Sequence, residues 1–192
     1  LLDAWCGGDR AAGSRLFDAH LPSVSRFFKN KVDGNCEDLV QETFLACIES
    51  RDRFAGRSSF RTYLLSIARH VLFGHYRRGR TWKIDALATS VAQLGCSAGS
   101  VLARTEERAL LLRALRHLPM DFQVTLELAY WEDLDGNAVA EVLDVSPHTV
   151  RSRISRARAM LRRTIAELAD KPTLGASTIA HLERWAQRHN SD

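Results

Sequence analysis

Apolar residues recur along this chain at intervals of three and four for most of its length, while the period-two alternation of a half-buried strand is almost absent. The pattern predicts an all-α protein. Residues 11–32 gather Leu16, Phe17, Leu21, Val24, Phe27 and Phe28 on one side of a helix that accommodates Pro22 only with a bend or a break, and Gly34 and Asn35 end it. A second helix over 37–50 turns Val40, Phe44, Cys47 and Ile48 inward. Its start carries Glu37, Asp38, Gln41 and Glu42, where carboxylates suit the positive end of the helix dipole. A third, over 59–80, buries Phe60, Leu64, Ile67, Ala68, Val71 and Leu72. Periodicity lapses over 81–103, a stretch of Ala, Ser, Gly and Thr that reads as a linker. Helices resume over 105–117 and 120–131. Beyond Asp170, Pro172 and Gly175 break the pattern before a last short helix over 177–189 around Ile179, Leu182 and Trp185.

The segment from Leu134 to Leu161, LDGNAVAEVLDVSPHTVRSRISRARAML, reads as a helix-turn-helix. Asp135 is placed to cap a first helix whose Val139, Ala140, Val142 and Leu143 face inward. Asp144 stands at the turn, where Asp tolerates the left-handed conformation better than most residues with a side chain. Ser146 caps a second helix, and Pro147 sits in its first turn, where no amide partner is lost. Val150, Ile154, Ala157 and Leu161 then fall on one face. At about 100° per residue from Val150, His148, Arg151, Ser152 and Ser155 project from the opposite arc and are the candidates to touch base edges. Arg153, Arg156 and Arg158 lie nearer the flanks, where guanidinium groups meet phosphates, and Thr149 begins the same helix.

A second basic surface lies earlier. From Arg51 to Lys83 the basic residues are Arg51, Arg53, Arg57, Arg61, Arg69, Arg77, Arg78, Arg80 and Lys83, opposed only by Asp52. Phe54, Phe60, Tyr63, Phe73, Tyr76 and Trp82 interleave with them. Cations beside aromatic rings suit single-stranded nucleic acid, although at least half of these rings are expected in the core.

Composition sharpens this picture only slightly. The 192 residues carry a net charge of +4, a mild excess that favours an anionic partner. No run of about eighteen apolar residues is present to insert in a membrane, and no cationic flank with an apolar core opens the chain, so a cytoplasmic location is expected. Cys6, Cys36, Cys47 and Cys96 form no CxxC pair and have no histidines at zinc-finger spacing. They read as reduced thiols, with Cys47 packed in a helix, and no metal site or other cofactor is expected. No phosphate-cradling glycine loop or nucleophile motif is recognisable, so no catalytic residue is assigned and the chain is read as no enzyme.

Three segments together resemble one family: GDRAAGSRLFDAHLP, DLVQETFLACIESRDRFAGRSSFRTYLLSIARHVLFGHYRR, and LRALRHLPMDFQVTLELAYWEDLDGNAVAEVLDVSPHTVRSRISRARAML. Their order and spacing are similar to the bacterial RNA polymerase sigma factors of the sigma-70 superfamily, specifically the small two-domain extracytoplasmic-function type. The resemblance implies a region 2-like domain over 1–82, a linker over 83–103, a region 4-like domain over 104–168 and a C-terminal extension over 169–192. It implies a factor that binds core RNA polymerase and directs promoter-specific initiation, including strand opening. Arg151, Ser152 and Ser155 match the family's readers of the minus thirty-five element. Basic and aromatic groups between Arg51 and Arg80 would hold the melted non-template strand of the minus ten element: Arg53, Phe54, Arg57, Ser59, Phe60, Arg61, Arg69, His70, Tyr76, Arg77, Arg78 and Arg80. Asp38, Gln41 and Glu42 match the surface that docks on the clamp helices of the largest polymerase subunit. The polymerase flap and an anti-sigma factor are further implied partners, and the linker would thread the active-site and RNA-exit region. The chain departs from the family where IARNxxxDxxR is usual, having His70 and Gly74, and it has Ala138 where Glu is frequent.

The rival readings are a stand-alone helix-turn-helix regulator, which would not need DLVQETF or SFRTYLLSIAR, and a thiol or metal sensor, or an enzyme, using the four cysteines.

Overall fold

The computed structural model describes the backbone of residues 1–32, 36–78 and 101–188, and the side chains of 1–32, 36–78 and 106–184. Among them every regular element is helical, as the periodicity predicts. The chain divides into two units, Leu1–Lys83 with Asn137–Ser146 and Ile84–Gly136 with Pro147–Asp192.

The first unit opens on α1 (Leu2–Cys6), a short helix that periodicity alone does not reveal. Asp9 then starts α2 (Arg10–Lys29), its carboxylate accepting from the amides of Ala11 at 2.8 Å and Ala12 at 3.1 Å. The helix continues through Pro22 rather than breaking there. Next come α3 (Glu37–Glu49), a 3-10 turn at Arg51–Arg53, and α4 (Phe60–Arg77). Ser59 caps α4: its hydroxyl accepts from the Thr62 amide at 3.1 Å. Val24, Phe27, Phe28, Leu39, Val40, Leu64, Leu65, Ala68 and Leu72 are buried, each large side chain contributing about 1.5–3 kcal/mol of transfer free energy.

Two side chains expected inside face out. Ile48 is 50% exposed and Leu21 44%. The inward face of α3 is set by Leu39, Val40, Thr43 and Cys47, and Ile48 lies about 80° from Val40 and about 100° from Cys47, at the edge of that arc.

In the second unit α5 (Val101–Arg116), α6 (Met120–Tyr130), α8 (Pro147–Leu168) and α9 (Pro172–Arg188) share one core. It contains Leu110, Ala114, Leu115, Leu118, Leu126, Tyr130, Ala157, Leu161, Ile165 and Leu182. The helix expected from residue 105 begins at Val101, and the last helix is longer than expected: Pro172 opens it, and Gly175 lies inside it. Leu182 places α9 in the core, Glu183 pairs with Arg162 of α8 at 2.9 Å, and His181 Nδ1 lies 2.7 Å from a Glu107 carboxylate oxygen on α5.

Candidate nucleic-acid interface

The helix-turn-helix register follows from local chemistry. α7 (Gly136–Leu143) starts directly after Asp135, and Val139, Ala140, Val142 and Leu143 are buried. Asp144 adopts φ 52°, the left-handed conformation expected of it. Around it the helix end closes: the Val145 amide donates to the Ala140 carbonyl at 3.0 Å, and the Asp144 amide to Glu141 at 3.2 Å. Pro147 is the first residue of α8, as its missing amide predicts.

Along α8, Val150, Ala157 and Leu161 are fully buried, while His148, Arg151, Ser155 and Arg156 are exposed and Ser152 and Thr149 are half-buried. The arginines sort by what they touch. Arg156 lies over the Phe122 ring, 5.8 Å from its centroid, and donates to the Ser152 hydroxyl at 3.1 Å. Arg153 is largely covered and turns toward Asp121 of α6, 3.9 Å away. Arg158 is half-buried beside Tyr130, whose hydroxyl is pushed up by burial while Arg158 draws it down. Among these three flanking arginines, only Arg156 is exposed; Arg151, from the opposite arc, is exposed as well.

The earlier basic stretch is built differently, because an aromatic cluster underlies it. Phe60, 5% exposed, is met by Trp5 at 5.4 Å, His20 at 5.2 Å and Phe54 at 6.1 Å between ring centres. Phe54 also meets Tyr63 at 4.9 Å, and the Tyr63 hydroxyl donates to the Ser50 carbonyl at 3.0 Å. Trp5 rests on Gly13, where an added Cβ would come within 2.6 Å of the indole. Phe60 is therefore a core ring with no free face for a base, contrary to its reading as a strand contact. Tyr76 is half-buried and donates its hydroxyl to the Lys31 carbonyl. Burial and the Arg61 charge hold His20 below the ordinary 6.5.

Around this cluster, Arg53 and Arg57 are exposed in the turn and loop before α4, where Gly56 takes φ 65°, and Ser59 is exposed at the cap. Arg61 is half-buried. On α4 itself Arg69 stacks on Phe73 at 5.0 Å, His70 is exposed, and Arg77 and Arg78 are exposed at the end. Arg80 lies outside the described residues, as does Cys96.

Asp38 and Gln41 are exposed on α3, and Glu42 pairs with Arg78 at 3.3 Å, joining the acidic helix to the basic one. Leu45, 59% exposed, and Ile48 continue the same stripe within an arc of about 120°. Sequence reasoning missed Leu45 because a short helix that is apolar on two sides does not declare which apolar side is covered. Cys47 is fully buried, and burial, with Cys6 adding in the same sense, pushes its thiol up to about 12.

Comparison with known proteins gives the family of the chain. Residues 16–82 match the model of Sigma-70 region 2, and residues 108–161 that of Sigma-70, region 4. The chain is 30% identical over 173 residues to the ECF RNA polymerase sigma-E factor of Haemophilus influenzae, across 84% of this chain and 91% of the relative. It is 27% identical over 172 residues to that of Escherichia coli K12, across 84% and 90%. Among solved structures, CnrH in complex with the cytosolic domain of CnrY gives a TM-score of 0.64 at 23% identity, over 88% of this chain and 96% of that one. The sigma factor RpoE of Bartonella quintana, in complex with the anti-sigma factor NepR, gives 0.62 at 24%, over 82% and 98%. These two likenesses carry the fold. The match over 16–82 has no place in a lone helix-turn-helix regulator.

Proposed function

Because the chain belongs to the extracytoplasmic-function sigma factors of the sigma-70 family, which bind core RNA polymerase and direct promoter-specific transcription, we propose a division of that work among its residues. Arg151, Ser152 and Ser155, with His148 and Thr149 beside them, read base edges of the upstream element in the major groove. Arg156 holds a phosphate, and Arg153 and Arg158 serve the same backbone from the flanks. The support is the exposed arc of α8, opposite the buried Val150, Ala157, Leu161 and Ile165.

The loop before α4 and the outer face of that helix hold the melted strand through Arg53, Arg57, Arg61, Arg69, His70, Arg77 and Arg78, with Phe54 and Tyr76 at its edge. Opening the duplex costs a few kcal/mol per unstacked base, which such contacts offset. The stripe of Asp38, Gln41, Glu42, Leu45 and Ile48 docks on the clamp helices of the polymerase's largest subunit. Two exposed aliphatic side chains between carboxylates suit an interface that is apolar at its centre and charged at its rim. In this reading residues 1–82 and 104–168 are the two functional domains. Catalysis belongs to polymerase, the site of action is the cytoplasm and nucleoid, and an anti-sigma factor is a partner, as one is for a solved neighbour. Among the described residues no helix is long and apolar enough to cross a membrane.

The observation that carries the reading is the presence of both region matches in one chain. Its test is reconstitution with core polymerase. Transcripts should start at discrete promoters only when the protein is added, and the starts should vanish when Arg151 and the α3 stripe are replaced. Failure to bind core, or initiation indifferent to the α3 stripe, overturns the assignment of that surface.

A further inference from the structure

Three of the arginines that follow Arg151 on α8 face a carboxylate. Arg153 Nη1 lies 3.9 Å from Asp121, Arg162 pairs with Glu183 at 2.9 Å, and Arg163 pairs with Glu167 at 2.7 Å. Such a partner fixes a guanidinium and at the same time offsets its charge toward a phosphate. Arg156 is held without that loss. Its Cζ stands 5.8 Å from the centre of the Phe122 ring, Nε donates to the Ser152 carbonyl at 3.4 Å, and Nη2 donates to the Ser152 hydroxyl at 3.1 Å. An aromatic face and a hydroxyl orient a cation and leave its net charge whole.

The helical wheel shows why this arginine needs a hold. Taken from Val150, Arg156 falls at about 240°, between Ser152 at about 200° on the outward arc and Arg153 at about 300°, which turns to Asp121 of α6. It stands on the border between the outward side of α8 and the α6 side, and a long side chain there has rotamers leading both ways. Phe122 occupies that border. It sits in the first turn of α6, its amide donating to the Pro119 carbonyl at 2.9 Å, half-buried and packed against the core of the second unit. The two hydrogen bonds to Ser152 use one edge of the Arg156 guanidinium. The end of the fork, one N–H on each of Nη1 and Nη2, is a bidentate edge suited to phosphate oxygens.

We propose that Phe122 is a positioning residue of the DNA interface: its ring, with the Ser152 hydroxyl, aims Arg156 at a DNA phosphate before the DNA arrives. The proposal rests on α8 being the DNA-reading helix and adds what directs one of its arginines. A side chain already ordered in the unbound protein loses less freedom on binding, so the ring strengthens a contact that it does not itself make. Ser152 keeps its own O–H, which is left to donate to a base edge.

The test uses holoenzyme reconstituted from core polymerase and the full chain. The DNA is a duplex that contains the upstream element of a promoter the protein directs and ends before the segment that opens. Affinity is measured over a range of salt concentrations. Arg156→Ala should lower the slope of the salt dependence by about one. Phe122→Leu keeps an apolar side chain against the core and removes the aromatic face. It should weaken binding about threefold, on cognate and altered upstream elements alike, the scale of one exposed cation–π contact. Phe122→Trp, which restores an aromatic face, should bring affinity back to within about twofold of wild type. In the Arg156→Ala background, Phe122→Leu should cost nothing further. Melting temperatures of the free variants are measured alongside; if Phe122→Leu falls by more than about 5 °C, Phe122→Met, which adapts to irregular packing, takes its place. No loss in the aliphatic variant, a loss of equal size with and without Arg156, or a folded Phe122→Trp protein that does not recover overturns the positioning role. An Arg156→Ala holoenzyme with wild-type affinity and salt dependence overturns instead the assignment of Arg156 to a phosphate.

Discussion

In α8 the arginines stand on a helix whose buried and exposed faces are separated by the helical wheel, and of the four side chains it sets opposite the core His148, Arg151 and Ser155 are exposed while Ser152 is half-buried. In α4 and the loop before it, the arginines stand over an aromatic cluster, and the wheel does not say which rings belong to the cluster and which to a ligand. Phe60 is the clearest case: between two arginine-bearing segments it looks like a stacking platform, yet Trp5, His20 and Phe54 enclose it. Proximity in sequence to cations indicates a nucleic-acid surface only where the intervening apolar residues have no larger demand on them from the core.

The sharpest way to break that comparison is Phe60→Ala. It should destabilise the first unit by about 3–5 kcal/mol, the cost of truncating a packed phenyl ring, measured by denaturant unfolding. Stability retained together with lost strand binding would falsify the core assignment. On the α8 side, Arg151→Ala should lose about 1–3 kcal/mol at the cognate upstream element with the fold intact, and should relax base preference at one position; equal loss on every sequence would mean that Arg151 touches only phosphate. Ser59→Ala, which removes the cap of α4, should cost about 1 kcal/mol in unfolding. A loss of strand affinity with no change in unfolding would make Ser59 a DNA contact instead.

The smallest effect concerns His20. Because its folded-state pKa lies below the ordinary 6.5, the unfolded chain binds the proton more readily than the folded one as the pH falls below 6.5. Stability is therefore complete above that pH and declines below it. His20→Gln should flatten this part of a stability-against-pH curve; an unchanged slope would place its origin in other groups.

Most of the fold was legible because it is helical and because its caps and turns are written in single residues. Asp144 and Pro147 each do locally what their side chains dictate, with Asp144 taking φ 52° at the turn and Pro147 opening α8. The reading stopped short where one apolar residue had two places to go. Leu45 and Ile48 are as hydrophobic as their buried neighbours, and α1 is too short to show a period.

What the sequence by itself determined, then, is the helical character, the register of the helix-turn-helix and the face on which Arg151, Ser152 and Ser155 stand, since these depend on interactions within a few residues of the chain. Only the tertiary structure decided that Trp5 and Phe60 belong to one core, that Arg153 turns back to Asp121 while Arg156 reaches Phe122, that Glu42 meets Arg78, and that Leu182 completes the second unit. Burial and long-range pairing depend on which other surfaces arrive, and no local pattern carries that information.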